Sequence, residues 1–170
     1  MKKYRKQILI INLILVLAMV NYAIFKKEKT LREGQLVLLE LAPVDPRSLM
    51  QGDYMQLRYK IARLQDFAEP QKKPEIETLP NSGYYIVILD SNKVAKKRRI
   101  QKDITPLNTN EIPLKYHKNK HQIYLGAESY FFQEGDANKY EKAKYGALKV
   151  ARDGEAVLVG LYDENFKKIK

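Results

Sequence analysis

In the stretch Gly52-Asp53-Tyr54-Met55-Gln56-Leu57-Arg58-Tyr59-Lys60-Ile61, apolar side chains recur at every second position. Met55, Leu57, Tyr59 and Ile61 fall on one face, and Gln56, Arg58 and Lys60 fall on the other with Tyr54. That is the pattern of a half-buried strand. Gly52-Asp53 suits the turn before it, since glycine tolerates positive φ and an aspartate side chain bonds nearby amides. Pro43 and Pro46 hold the approach extended and stop the preceding strand, Gln35 to Leu41. Leu57, Ile61 and Leu64 are also spaced for a helix, so the strand is expected to run to about Ala62 and then give way to a helical turn through Phe67. Tyr54 is left as an aromatic on the polar face, packed on a neighbouring loop or presented to a partner.

Gly52-Asp53-Tyr54-x-x-Leu57-x-Tyr59 resembles the signature of the GDYXXLXY protein family, membrane-associated bacterial proteins named for this string. Pro43-Val44-Asp45-Pro46-Arg47, and Tyr130-Phe131-Phe132-Gln133-Glu134 leading into Tyr140-Glu141, are similar to the family pattern too. The resemblance thus spans roughly Gly34 to Leu161. No molecular activity attaches to the family. What the resemblance implies is an extracytoplasmic domain at the inner (cytoplasmic) membrane, partnered by a multi-span membrane protein. Pro43, Asp45, Pro46, Gly52, Asp53, Leu57 and Tyr59 are its motif residues. Arg47 and Tyr54, residue types enriched at binding hot spots, are the candidate partner contacts.

Gln7 to Phe25 is an uncharged run of nineteen residues. As a helix it would span about 28 Å, close to the hydrocarbon thickness of a bilayer. The basic Met1 to Lys6 ahead of it also suits a signal peptide, but Asn21-Tyr22-Ala23 is a poor cleavage site. An uncleaved anchor is therefore expected, dividing the chain into a basic N-terminus (1–6), a transmembrane anchor (7–25), a juxtamembrane linker (26–33) and a β-rich domain (34–170). Lys2, Lys3, Arg5 and Lys6 precede the span and Lys26, Lys27, Lys29 and Arg32 follow it, so loop charge does not fix the orientation.

Residues 1–29 hold seven Lys/Arg against one Glu, +6 of the chain's net +11. Much of the basicity is thus juxtamembrane, where it attracts anionic headgroups, and no nucleic-acid partner is expected. Lys96, Lys97, Arg98 and Arg99 form a tetrad that reads as the solvated end of a hairpin strand and also fits edge-strand protection, with contact to an anionic surface as the functional alternative. The chain has no cysteine, which removes disulfides and thiolate chemistry.

The rest is punctuated as a β protein. Gly83 to Leu89 should pair with Val94 to Gln101 as a hairpin. Ala147 to Arg152 and Glu155 to Tyr162 flank Asp153-Gly154, the residues of a type I′ turn, with Val157, Val159 and Leu161 on one face. Gln122 to Gly126 and Ser129 to Phe132 add short strands. Asp136 to Lys144 reads as a helix with Asp136 as N-cap and Gly146 past its end. Pro70 to Pro80 and Thr105 to Asn119 read as long loops. The fold expected is mainly β with one short helix, a small barrel or sandwich-like domain, behind a single N-terminal transmembrane helix.

Catalytic constellations are few. Ser48 with Lys60 would resemble the serine-lysine dyad of type I signal peptidases, but Ser48-Leu49-Met50-Gln51-Gly52 lacks their proline. His117 and His121 sit among three lysines, a setting that repels a divalent cation. Glu134, Asp136 and Glu141 suit helix capping and pairing better than acid–base work. The sequence points to a non-catalytic part of a membrane assembly, with neither cofactor nor metal expected. A binding module for anionic lipid or envelope polymer is the alternative, and a Ser/Lys hydrolase the second.

Overall fold

The computed structural model describes residues 4–42, 50–51, 54–63, 79–119, 122–133 and 135–169. The chain opens with α1 (Arg5–Glu33), 29 residues in one unbroken helix. Its most apolar window has a mean hydropathy of 2.6, and none of that window is buried against the protein. It is long and apolar enough to cross a membrane. Residues 26–33 continue the helix to Gly34, whose amide donates to the Thr30 carbonyl at 2.9 Å.

Among the described residues, ten strands follow in three small open sheets. β1 (Gln35–Glu40), β9 (Tyr145–Val150) and β10 (Ala156–Tyr162) form the first, with β9 central. β2 (Met50–Gln51), β3 (Tyr54–Gln56) and β8 (Ser129–Phe131) form the second. β4 (Ser82–Leu89), β5 (Ala95–Gln101), β6 (Ile112–Asn119) and β7 (Gln122–Tyr124) form the third, in the order β5-β4-β6-β7. All named pairs are antiparallel, and no closed barrel is present among the described residues.

The sheets share one core because the longer strands turn apolar side chains inward, largely at alternate positions. Val37 and Leu39 of β1, Leu148 and Val150 of β9, Tyr85 and Val87 of β4, and Leu114 and Tyr116 of β6 meet Met55 of the motif strand there. Backbone bonds stitch the sheets together. The Leu38 amide donates to the Lys93 carbonyl at 2.8 Å, and the Lys115 amide to the Gly154 carbonyl at 2.9 Å.

Four expectations are corrected. The segment 112–119, read as part of a loop, is strand β6, paired with β4 along most of its length. Its signal was masked by Pro113 and the lysines. Pro113 is tolerated because its nitrogen, two residues before Lys115, faces the side of β6 away from β4, where no strand among the described residues is paired at that point. Second, the turn between β9 and β10 is not type I′, since only Gly154 has positive φ, at 82°. The Gly154 amide donates to the Ala151 carbonyl at 3.0 Å and the Ala151 amide to the Glu155 carbonyl at 2.8 Å, a three-residue connection ending in a left-handed glycine. Third, an irregularity between Leu158 and Gly160 switches the facing of β10, so Ala156, Leu158 and Leu161 pack on the core rather than Val157 and Val159. Fourth, the helix expected over Asp136 to Lys144 is one turn, α2 (Ala137–Tyr140), and Gly146 lies inside β9. Asp136 makes no side-chain capping bond and pairs with Lys139 at 2.7 Å instead.

Candidate functional site

The motif strand is built as its alternation requires. Met55, Leu57, Tyr59 and Ile61 are buried, while Gln56 and Arg58 are exposed. The regular strand is shorter than expected. Past Gln56 the backbone is held by single bonds, the Leu57 amide to Glu128 and the Ala42 amide to the Arg58 carbonyl, both at 2.7 Å. Tyr59 bridges Leu41, and Lys60–Ala62 is a 3-10 turn, so the strand stops before Ala62. The Tyr59 hydroxyl donates to the Ala127 carbonyl at 2.5 Å. Burial, and after it the charge of Glu128, pushes this phenol far above its ordinary value, so it is a fixed donor and not a titrating group.

Tyr54 faces the other way. Its ring lies 5.7 Å from that of Phe131, its direct partner across β3 and β8. Phe131 is 74% exposed. Either side of it, Tyr130 and Phe132 turn inward onto Tyr140, with ring centroids at 5.1 and 5.4 Å. Phe131 was not singled out by the sequence reading, although its place between two inward aromatics is the signal that could have found it. Pro43, Asp45, Pro46, Arg47, Ser48, Gly52 and Asp53 lie outside the described residues, as do His121 and Glu134.

The basic tetrad lies on β5, an outer strand of its sheet. Its charges are divided among different neighbours. Lys96 is 4.0 Å from Asp90, the Lys97 ammonium sits 5.2 Å from the centre of the Tyr85 ring, and Arg99 grips Glu111 through two nitrogens while donating to the Pro106 carbonyl at 2.9 Å. The Arg99 guanidinium, with the Asn108 amide, holds the Glu111 carboxyl down at about 2. Arg98 remains exposed where β5 steps out of register with β4.

Lys60 donates to Glu40 at 2.6 Å, so its ammonium is committed to a carboxylate, whereas a catalytic base must present a free amine. His117 is exposed on β6 opposite Tyr124. Among the described residues no three metal-binding side chains come together.

A feature absent from the sequence reading joins α1 to the domain. Lys26 lies 3.0 Å from Asp153 and 3.7 Å from Glu155, Lys27 is 3.3 Å from Glu155, and Lys115 reaches the same Glu155 at 3.3 Å. The turn after β9 is thereby clamped to the helix directly past its apolar run. Burial tends to raise Asp153, but the bond from Lys26 and the Glu155 amide outweigh it. Burial likewise tends to raise Glu155, which Lys115, Lys27 and Lys26 together hold below the ordinary range.

The molecule is therefore a β-domain carried on a helix of membrane-spanning length, with a motif strand that is buried on one face and carries Tyr54 with the exposed Gln56 and Arg58 on the other. The chain belongs to the GDYXXLXY protein family, whose model matches residues 16–161, most of its length. No curated protein and no solved structure matches it.

Proposed function

We propose that the protein is a non-catalytic, single-pass component of an inner-membrane assembly. α1 anchors it, the β-domain stands on the extracytoplasmic side, and Tyr54 with Phe131 docks an extracytoplasmic segment of a multi-span membrane protein. The observation that carries this reading is the Tyr54–Phe131 pair, in which the Phe131 ring, 74% exposed on β8, lies beside Tyr54 of the motif strand. Aromatic rings held in place by sheet pairing offer large contact area at little further ordering cost, which is why they anchor interfaces. The clamp between Lys26, Asp153 and Glu155 supports it as well, since a domain fixed on its anchor presents that pair at a defined height above the bilayer.

The test is site-specific photo-crosslinking in cells, with the crosslinker at Phe131 and, as control, at Arg98. The reading expects an adduct with an integral membrane protein from position 131 and none from 98. Adducts from both positions alike, or from neither, would overturn it.

A further inference from the structure

Phe25 ends the uncharged run and Lys26 begins the charged end of α1, so the membrane–water boundary falls at that turn of the helix. Tyr22, Lys26, Lys29 and Glu33 form one stripe at three- and four-residue spacing, facing the β-domain. The end of β9 with its turn, and the residues leading into β6, make the opposite wall. The cleft between them has a volume of about 870 Å³. Small-molecule sites run from about 300 to 1,000 Å³.

The two ends of this cleft differ in chemistry. Tyr22 and Phe25 line its helix wall at the level of the hydrocarbon, and the charged groups further along the helix face a domain wall that also carries Leu107, Ile112, Pro113 and Val150. Lys26 is taken up by Asp153, and Glu111 by Arg99. Lys29 and Arg152 have no ion-pair partner among the described residues, and Glu33 is the remaining carboxylate, so one positive charge is left over. An apolar lower end that opens at the bilayer and a cationic upper end match an amphiphile with an anionic head.

We propose that the cleft holds one anionic phospholipid, its phosphate met by Lys29 and Arg152 and its chains running past Tyr22 and Phe25 into the bilayer. A zwitterionic lipid carries its own cation and gains less from the excess positive charge. A soluble anion leaves the apolar end unused. The β5 tetrad is the poorer site, because Lys97 and Arg99 are already engaged. The site rests on the reading of α1 as the membrane anchor, but not on the Tyr54–Phe131 surface, and stands or falls separately from that surface.

The experiment uses the full-length protein reconstituted into nanodiscs of phosphatidylglycerol mixed with phosphatidylcholine, released into detergent and weighed by native mass spectrometry. Phosphatidylglycerol should be retained about tenfold over phosphatidylcholine, the scale of one charge-assisted contact. Lys29→Gln with Arg152→Gln should abolish that preference, with the melting temperature confirming a folded domain. Lys29→Arg with Arg152→Lys, and Lys96→Gln with Arg98→Gln, should keep it. Equal retention of both lipids by the unmodified protein overturns the proposal without recourse to any variant. So does an undiminished preference in a folded Gln/Gln variant, or displacement of the lipid by an equal concentration of glycerol phosphate, which would assign the site to a soluble anion.

Discussion

The ring of Tyr59 lies against the backbone of Gly146, where an added Cβ would come within 2.8 Å of a ring carbon and 3.1 Å of the hydroxyl oxygen. Gly146 sits in β9 opposite Leu39 of β1, and the Tyr59 hydroxyl reaches on to the Ala127 carbonyl. One side chain of the motif thus ties the first sheet to the segment that leads into β8.

Gly146→Ala should therefore destabilise the domain by about 1–3 kcal/mol through overpacking. Tyr59→Phe keeps the ring and strands the Ala127 acceptor, at a cost of about 1–3 kcal/mol. Denaturant unfolding of the full-length protein in micelles, followed by near-UV circular dichroism, measures both. Midpoints unchanged in the two variants would mean that the ring is seated elsewhere.

The turn after β9 gives a second prediction. Gly154 has φ 82°, and a Cβ there would meet the Tyr84 ring at 2.9 Å. Gly154→Val combines left-handed strain with that clash and should cost at least about 1–3 kcal/mol. Equal stability of the valine variant would place the left-handed residue at another position.

The clamp on α1 should respond to acid in a definite direction. Asp153 and Glu155 are depressed in the folded protein from ordinary values of 3.8 and 4.5. Their contribution is complete above those values and is lost as pH falls through the lower folded ones. The pairs are partly exposed, so each is worth only about 0.2–1 kcal/mol and weakens with salt. The cysteine-free background permits clean spin labels at positions 28 and 164. The distance between them should stay narrow from pH 7 to about pH 5, and broaden in high salt and as acid protonates the two carboxylates. A distribution that stays equally narrow in high salt and through acid titration would show that the clamp does not hold the helix to the domain.

Much of this architecture is legible in the sequence because it rests on alternation. Met55, Leu57, Tyr59 and Ile61 announce their buried face, and the two hairpins are flanked by polar turn residues. What escaped depends on contacts between distant segments. β6 reads as a loop because Pro113 and its lysines carry no strand signal, and only its seat between β4 and β7 makes it one. The helix after Asp136 is cut short where Tyr140 is drawn under Tyr130 and Phe132. The clamp joins residues 128 positions apart, Lys27 and Glu155, which no local pattern connects. The tetrad was visible as charge, but its engagement by Tyr85 and Glu111 was not.

The central claim is that the motif strand divides its labour, with Leu57 holding the fold and Tyr54 with Phe131 meeting a partner. The direct measurement pairs thermal melting with co-purification of the membrane partner for full-length Leu57→Ala, Tyr54→Ala and Phe131→Ala. Leu57 is buried and its loss should cost about 2–5 kcal/mol, with a matching fall in melting temperature. Tyr54→Ala and Phe131→Ala should melt close to the unmodified protein yet lose the partner. If Tyr54→Ala melts as low as Leu57→Ala, or if both aromatic variants retain the partner in full, the whole strand is scaffold and the docking account is contradicted.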